Sequence, residues 1–435
     1  MKLSVDVLLP RLEAELGSGA VHADPRTLSR YAVDGKSPVI LCLPRNSDQI
    51  IAALRVCAEA EAAVIPWGGG RSMGLGNIPR QVDVALGLED LAGLIEHDDA
   101  NLTATVQAGM RLAALQEILG RQRQFLAADP PYPARATVGG LVAANADGPR
   151  RMLYGSVRDL VIGMKMALAT GERIKAGGKV VKNVAGYDLS KLFVGSLGTL
   201  GIITEVTFKM APIPEDFATL LSWGPLAQCL LLVDELSRSA LLPASVAILN
   251  VEVTRGAGIA RGMPVVAVWV EGFRESVSRH LRDLQDMAQR IGLSSDIVRD
   301  TAHDLLWDYA RDFAASGEGT LYRVTVPLAS VAEALTAVER WSASAENVRT
   351  IAYAGSGTVW VLLESHPSSA EWFSRLGLLA REQGGHAVMM AAPPALKAGV
   401  DVWGAPPPTL PIMKEIKRQF DPLGILNPGR FIAGL

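Results

Sequence analysis

The sequence predicts a mixed α+β protein, in which a glycine-rich α/β region is followed by helices backing an antiparallel sheet. Three observations predict it. The 435 residues exceed one ordinary core. Up to about Pro214, short β-rich runs alternate with helical patterns and glycine is dense. From 215 to 408 glycine thins out and long amphipathic helices alternate with strands. The reading is therefore a first domain over 1–214, a second over 215–408 and a C-terminal segment over 409–435.

The elements follow in order. PVILCLP (38–44) reads as a strand, and SDQIIAALRVCAEAEA (47–62) as a helix capped by Ser47. AAVIP (62–66), VDVALGL (82–88) and LTATVQAGM (102–110) are further strands, and RLAALQEILGRQ (111–122) is an amphipathic helix. Residues 157–177 read as a hairpin turning at Thr170-Gly171, and GIITEVTFKMAPIP (201–214) as a strand stopped by prolines. In the second domain 275–292 is a helix, and 263–273, 320–328 and 357–365 are strands. APPPTL (405–410) is a connector, followed by a basic helix, PIMKEIKRQF, and then DPLGILNPGRF.

Composition excludes several classes. Hydrophobic residues make up 49% and charged ones 20%, which marks a folding chain. The net charge is −3 and no basic stripe appears, so nucleic acid is not an expected partner. No signal-peptide layout and no apolar run of about 18 residues is found. The expected location is cytoplasmic, with any membrane contact made through partners. Mean hydropathy is +0.22, which fits large cores or a surface covered by a partner subunit. Cys42, Cys57 and Cys229 are scattered and imply buried thiols rather than disulfides. An iron–sulfur cluster usually takes four thiolates, so a cluster would have to sit on another polypeptide.

The stretch 66-PWGGGRSMGLGN-77 is the first candidate site. It is not a dinucleotide fingerprint, because the third glycine is absent and a strand rather than a helix follows. It is not a Walker loop, because GK[ST] is missing. Two readings remain: a nest of backbone N–H groups for an anion, or a permissive hairpin turn. A second segment, 136-ATVGGLVAANADGP-149, suggests a short helix whose bare N-terminus faces an anion. In a third, Gly195, Gly198 and Gly201 recur every three residues. Three such segments suggest a long, bent ligand laid against backbone, such as a dinucleotide with its own pyrophosphate.

PWGGGRS, ATVGGLVAANADGPRRMLYGSVRDLVIG, GGKVVKNVAGYDLSKLFVGSLGTLGIITEV and FDPLGILNPGRF together resemble the FAD-binding domain of the vanillyl-alcohol-oxidase/PCMH superfamily. Within it the chain is most similar to FAD-binding subunits of bacterial glycolate oxidases or dehydrogenases. The likeness is strong over 35–213, good over 411–433 and weaker between. It implies a PCMH-type FAD-binding domain of two α/β subdomains, plus an α+β cap domain with a helix-backed antiparallel sheet.

The resemblance also implies the site. The loop of Pro66, Trp67, Gly68, Gly69, Gly70, Arg71 and Ser72 takes the pyrophosphate of FAD through its N–H groups. Thr137, Gly139, Gly140, Ala143 and Asn145 line the phosphate and ribityl region, with Pro130 nearby. Gly201 and Ile203 lie near the adenine. Asn427 and Arg430 approach the flavin from the other side. Some relatives attach flavin through a histidine at this loop. Here Gly70-Arg71-Ser72 occupies that place, so FAD is expected to be non-covalent. Trp67 either stacks on the cofactor or packs.

Oxidising a 2-hydroxy acid needs a base for the hydroxyl proton, a cation for the carboxylate and an aimed α-hydrogen. No HxGDGN-type histidine motif is present, and the six histidines show no metal-ligand spacing. No metal is expected and the base is unassigned, although His303 and His386 fall in the cap region. Arg323, opposite Tyr322 and Val324 on its strand, is either an inward carboxylate clamp or a surface ion-pair partner. Lys182 and Arg430 are candidates for stabilising reduced flavin. Asp188 and Ser190 are read as caps of the SKLF helix. The expectation is an FAD subunit of a glycolate-type dehydrogenase, working beside a homologous flavin subunit and an iron–sulfur subunit. The alternatives are a stand-alone FAD oxidoreductase and a flavin-carrying scaffold.

Overall fold

The computed structural model describes residues 5–179, 187–315, 319–342, 347–364 and 368–435. They divide into two compact units. One comprises Met1–Ala146, Ser156–Pro212 and Lys397–Leu435, and the other Asp147–Gly155 and Ile213–Leu396.

Among the described residues the first unit holds two main sheets and a short antiparallel pair, Gln124–Phe125 with Ala211–Pro212. Val64–Trp67, Val84–Gly87 and Ile40–Cys42 are parallel neighbours, and Val21–His22 pairs antiparallel at the edge. Helices Val5–Leu16 and Ser47–Glu59 bury Leu12, Ile50 and Leu54 against Ile40 and Val84. The helix at 47 is capped by Asn46, whose side chain accepts from Gln49 N–H at 2.9 Å, and not by Ser47. Asn46 has the extended backbone that a cap needs, whereas Ser47 is already helical.

The second sheet is antiparallel, ordered Leu94–Asp98, Thr103–Gln107, Ile202–Lys209, Val161–Ala167, Arg173–Gly177. Its apolar face, with Val106, Val206 and Phe208, packs against Leu115 and Leu119 of Leu112–Gly120 and Leu141 of Val138–Ala144. The expected hairpin turns at Gly171, whose φ is +77°. It does not begin at Val157: Val157–Leu160 is a helical turn set by a capping box between Ser156 and Asp159.

The other unit is one eight-stranded antiparallel sheet. Its order is Ser294–Val298, Asp216–Trp223, Val265–Gly272, Ser245–Leu249, Val348–Tyr353, Thr358–Leu363, Thr320–Thr325, His386–Ala391. Helix Asp300–Phe313 covers the face that carries Ala267, Trp269, Leu321, Ile351 and Trp360. Helices Arg274–Ile291, Val331–Ser342 and Ser369–Glu382 also pack on the sheet.

The division departs from the sequence reading in two places. Residues 147–155 group with the sheet unit, because Leu153 joins its core and Tyr154 hydrogen-bonds to Glu271. The chain returns to the first unit at Lys397 rather than 409, because Lys397 is tied to Asp34 and Gly74. Among the described residues no helix is long and apolar enough to cross a membrane.

Candidate functional site: a glycine-lined anion cradle and an arginine cavity

Strand Val64–Trp67 runs into Gly68, Gly69 and Gly70, where a side chain has almost no room. A Cβ on Gly69 would lie 1.9 Å from the Arg135 carbonyl oxygen, and one on Gly68 would lie 2.3 Å from Thr137 Oγ1. Gly70 turns the chain at φ +71°. Gly69 N–H donates to Thr137 Oγ1 at 3.3 Å, whereas among the described residues the N–H groups of Gly68, Gly70 and Ser72 have no hydrogen-bond acceptor. Arg71 stacks its guanidinium 4.2 Å from the ring centroid of Tyr132, in the loop that also holds the buried Pro130. Trp67 packs against Tyr31, 4.9 Å between ring centroids, and lies under Gly70.

The second glycine segment forms the expected helix, Val138–Ala144, but its N-terminus is not bare. Val138 N–H donates to Met110 O, Gly139 N–H to Ala108 O and Gly140 N–H to Thr137 Oγ1. Sequence reading had no view of the neighbouring chain at 108–110 that supplies these carbonyls. Gly139 is a close-packing glycine, because a Cβ there would meet Ala108 at 2.7 Å. The C-terminal end is more open. Asn145 is left-handed at φ +47°, and its buried Oδ1 has no partner among the described residues.

The third segment closes on that end. Gly195 N–H donates to Val142 O and Leu197 N–H to Ala143 O. The buried Ser196 hydroxyl is also without a partner among the described residues. Asn427 brings in the C-terminal segment: its N–H donates to Val64 O at 2.9 Å and its amide to Leu197 O, while its buried Oδ1 is unpaired among the described residues. Gly198 leaves space beside Pro66 and Asn427 that a Cβ would fill, at 3.0 and 3.5 Å. Pro66, Asn145, Ser196, Gly198 and Asn427 are thus brought together. Gly201 instead packs against Phe193, and Ile203 is a buried core residue in a strand paired with Met166.

Arg430 is almost fully buried and donates to the carbonyls of Met73 and Leu75, so its guanidinium serves the glycine loop itself. Two lysines that sequence reading missed act alike. Lys397 pairs with Asp34 at 2.9 Å, and Lys417 pairs with Asp421 at 2.6 Å while donating to Thr199 O and Leu426 O. Burial pushes both ammonium groups below the ordinary lysine range, against the pull of these carboxylates. Their only sequence signal was a lysine in an otherwise apolar or helical context. Lys182 lies outside the described residues. Asp188 and Ser190 do not cap Ser190–Phe193: the Ser190 hydroxyl donates to Asp188, and Leu189 occupies the cap position without a side-chain bond.

In the sheet unit, Arg323 points with Leu321 toward helix Asp300–Phe313, into a cavity lined also by Asp147, Arg151, Arg311, Ser356 and Thr358. Arg151 pairs with Asp147 at 2.8 Å and Arg311 with Asp308 and Asp312. Among the described residues Arg323 forms no close ion pair, and its buried Nε has no hydrogen-bond acceptor. Burial, and secondarily Arg151, lower its pKa against the opposing pull of Asp147. His303 is enclosed by Phe217, Trp269 and Trp307 and bonds Thr219 at 2.9 Å, which leaves it no access to a substrate. His386 opens an edge strand beside Thr325.

Comparison with known proteins agrees with this geometry. Residues 38–177 match the FAD binding domain family, and 403–431 match the C-terminal domain of FAD linked oxidases. Glycolate oxidase subunit GlcE of Escherichia coli (strain K12) is 30% identical, over 79% of this chain and 85% of its own. Glycolate oxidase subunit GlcD of Bacillus subtilis (strain 168) is 29% identical, over 91% of this chain and 89% of its own. p-Cresol methylhydroxylase with substrate bound shares the fold at a TM-score of 0.76 and 18% identity, over 98% of this chain and 96% of its own.

The cradle suits FAD. Segments 66–77 and 195–201 contain no Asp or Glu, and the one carboxylate of segment 136–149, Asp147, pairs with Arg151. Among the described residues the amides of Gly68, Gly70 and Ser72 have no acceptor and could hold an anionic pyrophosphate, and the Asn145, Ser196 and Asn427 atoms without partners could meet the polar edges of a nucleotide. FAD is the cofactor of this chain, which is an FAD-dependent oxidoreductase.

Proposed function

We infer, from the premise that this chain belongs to the family of FAD-linked oxidases that includes the glycolate oxidase subunits, that it is the flavin-carrying subunit of a 2-hydroxy-acid dehydrogenase complex. When bound, FAD supplies a two-electron acceptor able to pass electrons on singly. The chain contributes a nest for the pyrophosphate, through the amides of Gly68, Gly70 and Ser72, and no histidine for covalent attachment at 66–77. Arg323 is the observation that carries the substrate class. A partly buried guanidinium whose Nε has no acceptor and which forms no close ion pair among the described residues suits a carboxylate, and Ser356 and Thr358 add hydroxyls to the same cavity, which Asp147 also lines.

The oxidation removes two electrons and two protons from the hydroxy acid and yields the 2-oxo acid. The chain's three cysteines cannot furnish four thiolates, so a one-electron acceptor of iron–sulfur type belongs to a partner. The similarity to both GlcD and GlcE favours assembly beside a homologous flavin subunit; the cytoplasm is the location proposed for it.

Anaerobic reduction of the FAD-loaded chain by glycolate and by D-lactate, alone and in the natively co-purified complex, tests this. Full turnover is expected only in the complex. Arg323→Met is expected to slow carboxylate-dependent flavin reduction by about 100-fold or more at unchanged FAD content, as loss of a charged anchor does. Robust turnover by the lone chain would overturn the complex. A flavin that stays oxidised with and without partners would overturn the catalytic role.

A further inference from the structure

Four successive carbonyl oxygens of the glycine turn are each held by one of two buried cations. Arg430 Nη2 donates to Met73 O at 2.6 Å and to Leu75 O, and Lys397 Nζ donates to Gly74 O at 2.5 Å and to Gly76 O at 3.3 Å. The two cations take alternate residues, so the turn is gripped along its whole length. Both come from the C-terminal segment, and both are at least nine-tenths buried, at 3% and 2% exposure. The grip is returned: Asn77 N–H and the Trp403 indole both donate to Arg430 O, and Gly76, at φ +97°, passes too close to that oxygen for a side chain.

At the turn itself the cations outnumber the carboxylates that act on them. Asp34 is the carboxylate that faces this pair, bonded to Lys397 at 2.9 and 3.1 Å. Asp401 keeps its charge while accepting from Asn77, Trp403 N–H and Ala433 N–H, and among the described residues it pairs with neither cation. Two desolvated cations against the one carboxylate bonded to them bring positive charge beneath the turn. At low dielectric that charge favours an anion above it.

We propose that Lys397 and Arg430 are positioning residues for FAD: together they form a C-terminal clamp that sets the 73–76 turn, presents the amides of Gly68, Gly70 and Ser72, and supplies positive potential to the pyrophosphate. This rests on the assignment of FAD to the cradle. Neither cation needs to touch the cofactor. Closure of the C-terminal segment and FAD binding are then linked, and each strengthens the other.

The test uses the full apo chain with FAD, ADP and riboflavin as probes, titrated by fluorescence. Lys397→Met alone strands Asp34, so the main variant is Lys397→Met with Asp34→Leu, which removes the pair together, and thermal unfolding of the apo variant checks that it folds before it is titrated. The expected result is at least a tenfold loss of affinity for FAD and a parallel loss for ADP, with riboflavin unchanged. In the unaltered chain, FAD should slow amide exchange both in 70–77 and in 397–435, and this joint protection should vanish in the variant. FAD and ADP affinities within twofold of the unaltered chain would overturn the clamp, as would an equal loss for riboflavin. Failure of the unaltered chain to bind FAD would overturn the cofactor assignment together with it.

Discussion

The hydroxyl of Thr137 accepts a hydrogen bond from Gly69 N–H at 3.3 Å, and the same oxygen caps its own helix through Gly140 N–H. One side chain thereby fixes the spacing between two glycine segments. The contact predicts a rescue. Gly68→Ala would place a Cβ 2.3 Å from that hydroxyl and should strip flavin from the purified protein. Adding Thr137→Ala removes the obstructing oxygen, at a cap cost of about 1 kcal/mol, and should restore part of the flavin. Gly69→Ala meets the Arg135 carbonyl instead, at 1.9 Å, and should not be rescued. The flavin-to-protein ratio after gel filtration reads all four proteins; rescue of Gly69→Ala would contradict this geometry.

Local signals carried much of this. Alternation at 201–214 and the apolar run at 263–273 marked strands, and the spacing over 275–292 marked a helix, because apolar patterning reports burial directly. What failed depended on partners distant in sequence. The N–H groups of Val138 and Gly139 are satisfied by Met110 and Ala108, so a helix start that looks bare in sequence is closed in space. Lys397 bonds a carboxylate at position 34, and nothing around ALKAG announces that. Residues 147–155 follow a glycine segment without a break in texture, yet Leu153 belongs to another core. Arg323 was legible because strand parity separated it from Tyr322, but its alternatives could be weighed only once the neighbouring ion pairs were visible.

The Glu271 carboxylate is fully enclosed and is bracketed by the Tyr154 hydroxyl at 2.6 Å and by Arg150 at 3.2 Å. Arg150 also lies 4.4 Å over the Trp269 ring. Removing one partner of such a pair is costly, whereas replacing both with apolar groups is often neutral. Glu271→Ala should therefore cost roughly 3 kcal/mol, and Tyr154→Phe about 2 kcal/mol for a hydrogen bond to a charged group. Arg150→Met combined with Glu271→Leu should cost less than Glu271→Ala alone. Urea unfolding of these chains and of the single variants Arg150→Met and Glu271→Leu measures this, and additivity of the two single changes in the double variant would show that the sites do not interact.

All three thiols are buried, and burial raises each pKa: Cys229 to about 11, Cys57 to about 12 and Cys42 further. At pH 8 the thiolate fraction of Cys229 is then on the order of one in a thousand, and the others are lower still. A disulfide reagent that colours on reaction should release no signal from the native protein within an hour, and three equivalents after guanidinium unfolding. A prompt single equivalent in the native state would mean that one thiol is reachable and its environment less apolar than its contacts indicate.

His303 sets a pH window for the sheet unit. Trp307 donates its indole N–H to Thr219 Oγ1 at 2.7 Å, so the Thr219 hydroxyl is free to donate to His303 Nδ1, which must then be unprotonated. Burial first, and the nearby Arg150 second, lower the imidazole from 6.5 to about 4. A folded-state pKa below the unfolded one means that the unfolded chain binds the extra proton in between. The stabilising effect is complete above about pH 6.5 and is lost as pH falls toward 4, amounting at the limit to roughly 3 kcal/mol. His303→Gln removes the titration. The difference in unfolding free energy between the unaltered chain and this variant should narrow as pH drops from 7 to 4.5. Parallel curves across that range would show that His303 is charged or exposed in the folded protein.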